Sequence, residues 1–162
     1  MKRLLTAVLV LVLAAAAGFA ARTWLFSAAR IAGSSMENTL FSGDTVLVAR
    51  WEAPERGSIM QCTFDGRSGS YVKRVVGLPG DVIEFRAGQL TVNGRPLSEP
   101  YVSSQTQDMS VSLGENEYFV LGDNRAESYD SRAQDMGCIG REQFLGRVRW
   151  ILWPVSRFGP VE

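Results

Sequence analysis

Behind Lys2 and Arg3 the chain runs from residue 4 to residue 21 without a charge. As a helix this stretch is about 27 Å long at 1.5 Å per residue, close to the hydrocarbon thickness of a bilayer. The run therefore predicts an N-terminal helix that just spans a membrane, with Trp24 and Phe26 at the far interface and an anchor-plus-interface unit over residues 1–26. The basic start favours a cytoplasmic N terminus and places residues 27–162 outside, although Arg22 and Arg30 on the far side keep the charge bias small. The competing reading is a cleavable leader, because Gly18-Phe19-Ala20 sets small residues at the two positions a processing enzyme reads. The apolar run is longer than the core of an ordinary leader, which favours a retained anchor. Under both readings the rest of the chain leaves the cytoplasm.

What remains after the apolar run suits one domain with one modest core. The 17 basic and 17 acidic residues cancel and are interspersed, so nothing in the charge favours nucleic acid or an anionic surface as partner. The chain has no histidine. That excludes a Ser/His/Asp triad, a Cys/His pair and histidine-based zinc sites, so any nucleophilic chemistry needs another base. Cys62 and Cys138 match no metal spacing; they either pair in an oxidising compartment or serve as small apolar core residues.

Beyond residue 31 the sequence reads as short strands separated by turn signals, over residues 44–50, 58–64, 71–76, 81–85, 89–92, 118–121 and 146–153. Asn93-Gly94 marks a tight turn, and Leu78-Pro79-Gly80-Asp81 breaks one strand from the next. Residues 141–145, closed by Gly146, read as a short helix, and the polar stretch 98–112 as an exposed loop. The fold class these elements imply is mainly β, a rolled or barrel-like sheet.

Three segments carry chemistry. In Ile31-Ala32-Gly33-Ser34-Ser35-Met36-Glu37-Asn38-Thr39-Leu40, small residues just before a strand let a substrate backbone approach a serine, although the same composition also suits a plain linker. In Tyr71-Val72-Lys73-Arg74-Val75-Val76, a strand puts Tyr71, Lys73 and Val75 on one face. Burial of that face disfavours the ammonium, and bringing a lysine from about 10.4 to about 7.5 costs roughly 4 kcal/mol. The alternative is a lysine that snorkels to water. In Gly122-Asp123-Asn124-Arg125-Ala126-Glu127-Ser128-Tyr129-Asp130-Ser131-Arg132, the alternation of Ser128, Asp130 and Arg132 suits an ordered hydrogen-bond network better than a surface turn.

Taken together and in this order, the three segments resemble the Ser-Met, lysine and third boxes of the type I signal peptidases, the second continuing through Gly77-Leu78-Pro79-Gly80-Asp81. The resemblance extends to Leu145-Gly146-Arg147-Val148 and Trp153-Pro154. It implies the mainly β signal peptidase fold with one N-terminal transmembrane helix. It also implies a single-pass protein of the cytoplasmic membrane whose catalytic domain is extracytoplasmic, with membrane lipid and the signal peptides of preproteins as partners and neither metal nor organic cofactor. By the same likeness Ser35 is the nucleophile, Lys73 the general base, Ser128 the hydroxyl that orients the lysine, and Asp130 and Arg132 an ion pair bracing the site. The Ser35 main-chain N–H is the implied oxyanion donor. Gly33 stands where a second, hydroxyl donor often lies, leaving Ser34 or water to supply it. Ile31, Met36, Leu40, Tyr71 and Val72 are the implied substrate-lining residues. Asn38 replaces the usual proline, and Ala126-Glu127 the usual Asp-Asn. These departures keep open a specialised Ser/Lys maturation peptidase, of pilin or conjugation type, and the chain reads as a minimal form without the large second β domain of some members. A catalytically silent, peptide-binding membrane module is the reading from outside enzymology.

Overall fold

The computed structural model describes residues 2–104 and 106–161. Met1, Gln105 at the centre of the polar stretch, and Glu162 lie outside the described residues, as do several side chains of the first helix, those of Lys2, Ala20 and Arg22 among them. Among the described residues one α-helix, α1 (Lys2–Leu25), leads into eleven strands: β1 (Phe26–Arg30), β2 (Thr45–Ala49), β3 (Ile59–Cys62), β4 (Tyr71–Gly77), β5 (Val82–Arg86), β6 (Gln89–Val92), β7 (Arg95–Pro96), β8 (Met109–Ser112), β9 (Phe119–Leu121), β10 (Phe144–Trp153) and β11 (Gly159–Pro160). Along α1 the side chains of Val8, Leu9, Val10, Leu11, Val12 and Leu13 are exposed, and Phe19 and Trp24 likewise. Among the described residues no helix is long and apolar enough to cross a membrane by hydropathy.

The strands form two antiparallel sheets. The larger runs β1-β2-β10-β3-β4-β9, with β11 added to β10; the smaller runs β7-β6-β5-β8. β10 is long enough to pair with both β2 and β3, and it does so through register shifts that bend it between them. The pleat of β4 sorts its side chains onto two faces. Tyr71, Lys73 and Val75 stand opposite Cys62, Met60 and Val120, while Val72, Arg74 and Val76 point to the other face.

Three apolar clusters hold the sheets. The first joins Ile31, Met36 and Leu40 to Val46, Val48, Ile59, Val148 and Ile151. The second packs Val76, Phe119 and Leu121 against Ile83, Phe85 and Leu90 of the small sheet. The third contains Met60, Cys62, Phe64, Val75, Val120, Ile139 and Phe144.

Three expectations change. Residues 141–145 are not a helix: a 3₁₀ turn covers only Arg141–Gln143, and β10 starts at Phe144, whose apolar ring fills the third cluster. The polar stretch 98–112 is not simply an exposed loop. Its end, β8, pairs with β5, and Glu99 and Tyr101 are tied to buried arginines. Leu40, expected in the substrate-lining set, is fully buried in the first cluster. Cys62 and Cys138 are free thiols in separate clusters, with burial pushing them up to about 12 and about 11.

Candidate active site

The segment after β1 turns sharply to bring Ser35 over β4. Gly33 at φ 87° adopts a left-handed conformation that glycine takes without strain. Glu37 N–H then donates to Ser34 O at 3.0 Å, and Thr39 and Leu40 N–H both donate to Met36 O, at 3.0 and 2.8 Å, closing a tight coil around the serine. Met36 and Leu40 anchor this coil in the core. The apolar residues of the segment thus fix it to the sheet and leave the polar ones to work.

Lys73 Nζ lies 2.7 Å from Ser35 Oγ. Its side chain is on the face of β4 opposite Met60, beside Cys62 and Val75, and only 2 % of the residue is exposed. Burial therefore pulls its pKa below the ordinary 10.5, with the Arg132 guanidinium acting in the same direction and the carboxylate of Asp130 opposing it. A lysine held this way can stand uncharged as a base, and its neighbour is a primary hydroxyl.

The segment after β9 braces the pair. Asp130, almost fully buried, accepts from Ser128 Oγ at 2.5 Å, from Gly122 N–H at 3.0 Å and from Arg132 Nε and Nη2 at 2.7 and 2.9 Å. Ser128 thus spends its hydroxyl proton on Asp130, and the hydrogen bond of Lys73 goes to Ser35. Arg132 also donates to the carbonyls of Arg125 and Ser128, at 2.8 and 3.1 Å. A charge-assisted network of this kind fixes a loop more firmly than a neutral turn does.

A cleft of about 180 Å³ opens beside the Ser35/Lys73 pair. Ile31, Met36, Tyr71 and Val72 line it together with Ala29, Ala32, Gln61 and Ser70. Its lining mixes these apolar side chains with polar ones, Arg30 and Lys73 among them, and Ser70 receives a 2.8 Å hydrogen bond from Gln61. Four of the five substrate-lining expectations thus meet at one cleft, and Leu40 lies beneath it in the core.

Sequence reasoning missed a second, buried ion pair on the opposite face of β4. Arg74 grips Asp123 bidentately, Nε to Oδ1 at 2.9 Å and Nη2 to Oδ2 at 2.8 Å, and Asp123 also accepts from Thr39 Oγ1 at 2.5 Å. The ring of Tyr101 covers the guanidinium at 3.9 Å. Asn38, at φ 81°, donates to Tyr101 O at 3.0 Å and to Ser103 Oγ at 3.3 Å, so the polar stretch is strapped across the serine-bearing coil. The one signal available was the Arg next to the key lysine, a residue too polar for an interior strand position unless paired.

Comparison with known proteins completes the site. The family model described as signal peptidase, peptidase S26, matches residues 1–153. A signal peptidase I of Bacillus licheniformis is 32% identical over 151 residues, covering 83% of this chain and 81% of that protein. A probable signal peptidase I-2 of Synechocystis is 36% identical over 152 residues, covering 85% and 68%. The crystal structure of a signal peptidase I from Enterococcus faecalis superposes with a TM-score of 0.53 at 33% identity, over 59% of this chain and 97% of that one. With a match of that extent in sequence and in fold, the chain belongs to the signal peptidase family, peptidase S26, and is a serine endopeptidase of the signal peptidase I type.

Proposed function

We propose that this protein removes signal peptides from exported preproteins, with Ser35 as nucleophile and Lys73 as general base. The observation that carries the reading is the 2.7 Å approach of a desolvated amine to a serine hydroxyl where both line one cleft. Neutral Lys73 takes the Ser35 proton as Oγ adds to the scissile carbonyl, and the oxyanion accepts from the Ser35 main-chain N–H. Collapse of the adduct breaks the C–N bond, the leaving amine takes the proton from Lys73, and an acyl-enzyme remains. Water then attacks the ester, giving its proton to the same amine and returning Ser35 to its resting form. The site-bracing role falls to Ser128, Asp130 and Arg132, and the mechanism calls for no metal or organic cofactor.

In this reading residues 1–26 anchor the protein in the cytoplasmic membrane and residues 27–162 form the extracytoplasmic catalytic domain. Support comes from the row of exposed aliphatic side chains on α1, Val8 to Leu13, which have no protein surface to cover them. Cutting after small residues is the specificity this reading assigns to the cleft of about 180 Å³ beside Ser35, whose limited volume favours small side chains.

The test is cleavage of a model preprotein by purified protein in detergent, alongside Ser35→Ala and Lys73→Ala. Both variants are expected to fold and to lose cleavage. Activity surviving in either one rejects the dyad.

A further inference from the structure

We infer that Asn124 is a positioning residue that aims the oxyanion-binding N–H of Ser35; the inference rests on the reading of Ser35 as nucleophile. Asn124 touches the serine coil twice. Its side-chain Nδ2 donates to Ser34 O at 3.2 Å, and its own main-chain N–H donates to Ser35 O at 3.1 Å. Ser34 C=O and Ser35 N–H belong to one planar, trans peptide unit and point in opposite directions. Holding the carbonyl toward Asn124 therefore turns the N–H away from it. Ser35 lines the cleft, and among the described residues its N–H has no hydrogen-bond acceptor. A donor without a partner, next to the attacking oxygen, is what a developing oxyanion needs.

Glu37 N–H also donates to Ser34 O, at 3.0 Å, but that contact is internal to the coil and travels with it. The amide of Asn124 is different in kind, because it ties the same peptide unit to the segment that carries Ser128 and Asp130. Gly122, two residues earlier, makes the close approach possible: a Cβ there would collide with Ser35 O and with Ser128 Oγ. Asp123, between them, accepts from Thr39 at the far end of the coil. Three consecutive residues thus register the serine coil against the segment after β9, and only Asn124 does so through a side chain that can be changed without introducing a clash or unpairing a buried ion.

The experiment measures kcat, KM and the pH profile of preprotein-peptide cleavage for the full-length protein, Asn124→Ala and the nearly isosteric Asn124→Asp, which lacks the N–H donors. Affinity for a substrate-length peptide aldehyde, whose Ser35 hemiacetal places an oxygen in the oxyanion position, is measured in parallel. Both variants are expected to lose about ten- to a hundred-fold in kcat and a similar factor in aldehyde affinity, with KM within about two-fold. The pH midpoint of Asn124→Ala is expected to match the parent, since Lys73 is untouched. Unchanged kcat in both variants overturns the inference. A loss confined to KM, a shifted pH midpoint in Asn124→Ala, or failure of both variants to fold overturns it as well. Cleavage by Ser35→Ala strikes the parent reading instead, whereas an inactive Ser35→Ala beside fully active Asn124 variants strikes this inference alone.

Discussion

Lys73 holds its place at a cost that depends on pH. Because burial lowers its folded-state pKa below 10.5, the unfolded chain binds the proton more tightly than the folded one. Below the folded pKa the buried ammonium costs its full penalty. As pH rises from there toward the unfolded value near 10.4, the penalty fades and stability increases. Lys73→Met removes the penalty, so its thermal midpoint is expected to exceed that of the parent at neutral pH, with the gap narrowing toward about pH 10; a gap independent of pH contradicts a depressed lysine. In the proposed mechanism activity follows the same proton in the same sense, rising with pH as the amine becomes neutral. Lys73 and Ser35 were legible only through the ordered resemblance of the boxes that hold them, because each segment alone suits a plain linker or a lysine that snorkels to water as well. Asn124 was not, since its partners are the carbonyls of Ser34 and Ser35, far away in the chain, and nothing in its neighbours says so.

Elements show where local pattern suffices. Strands β2, β3, β4 and β6 were legible from their apolar, β-branched runs bounded by turns. β1 was not, because Phe26–Arg30 reads FSAAR and forms a strand only through its full five-residue register with β2. β8, inside a polar stretch, is likewise made by its partner β5. The coil from Gly33 to Leu40 and the end of β9 are each shaped for the other, which gives two predictions. Gly122→Ala drives a methyl into Ser35 O and Ser128 Oγ, so it is expected to cost about 1–3 kcal/mol in denaturant unfolding and to remove most cleavage activity. Asn38→Pro forces φ from 81° to about −65° and removes the donor to Tyr101 O. An expected loss of about 1–3 kcal/mol follows, read as a lower chemical-denaturation midpoint. A gain in stability for that variant would mean that the coil can take up the proline geometry without strain.

Across the whole molecule, one buried contact joins parts that the chain order keeps apart. Arg74 belongs to β4, Asp123 to the segment after β9, Thr39 to the serine coil and Tyr101 to the strap, and all four meet. Removing the guanidinium leaves Asp123, which has no exposed surface, as an uncompensated buried charge. Arg74→Met is accordingly expected to cost about 3–5 kcal/mol, visible as a large fall in thermal midpoint and as exposure of the stretch around Tyr101 to protease. A thermal midpoint indistinguishable from that of the parent would show that the pair contributes little.

Helix α1 ends at Leu25 and β1 begins at Phe26, without an intervening linker, and Ser35 lies ten positions beyond the helix. Even fully extended, that span reaches only about 35 Å. If residues 1–26 anchor the protein in a bilayer as proposed, the Ser35 hydroxyl works on a short leash, sweeping a thin layer above the lipid. A client held by its own apolar segment in the same sheet of lipid is then confined to that layer too, so encounter becomes a near-intramolecular event at high effective concentration. Proteins passing freely in the surrounding fluid seldom enter it, and discrimination between the two populations begins before any side chain is read.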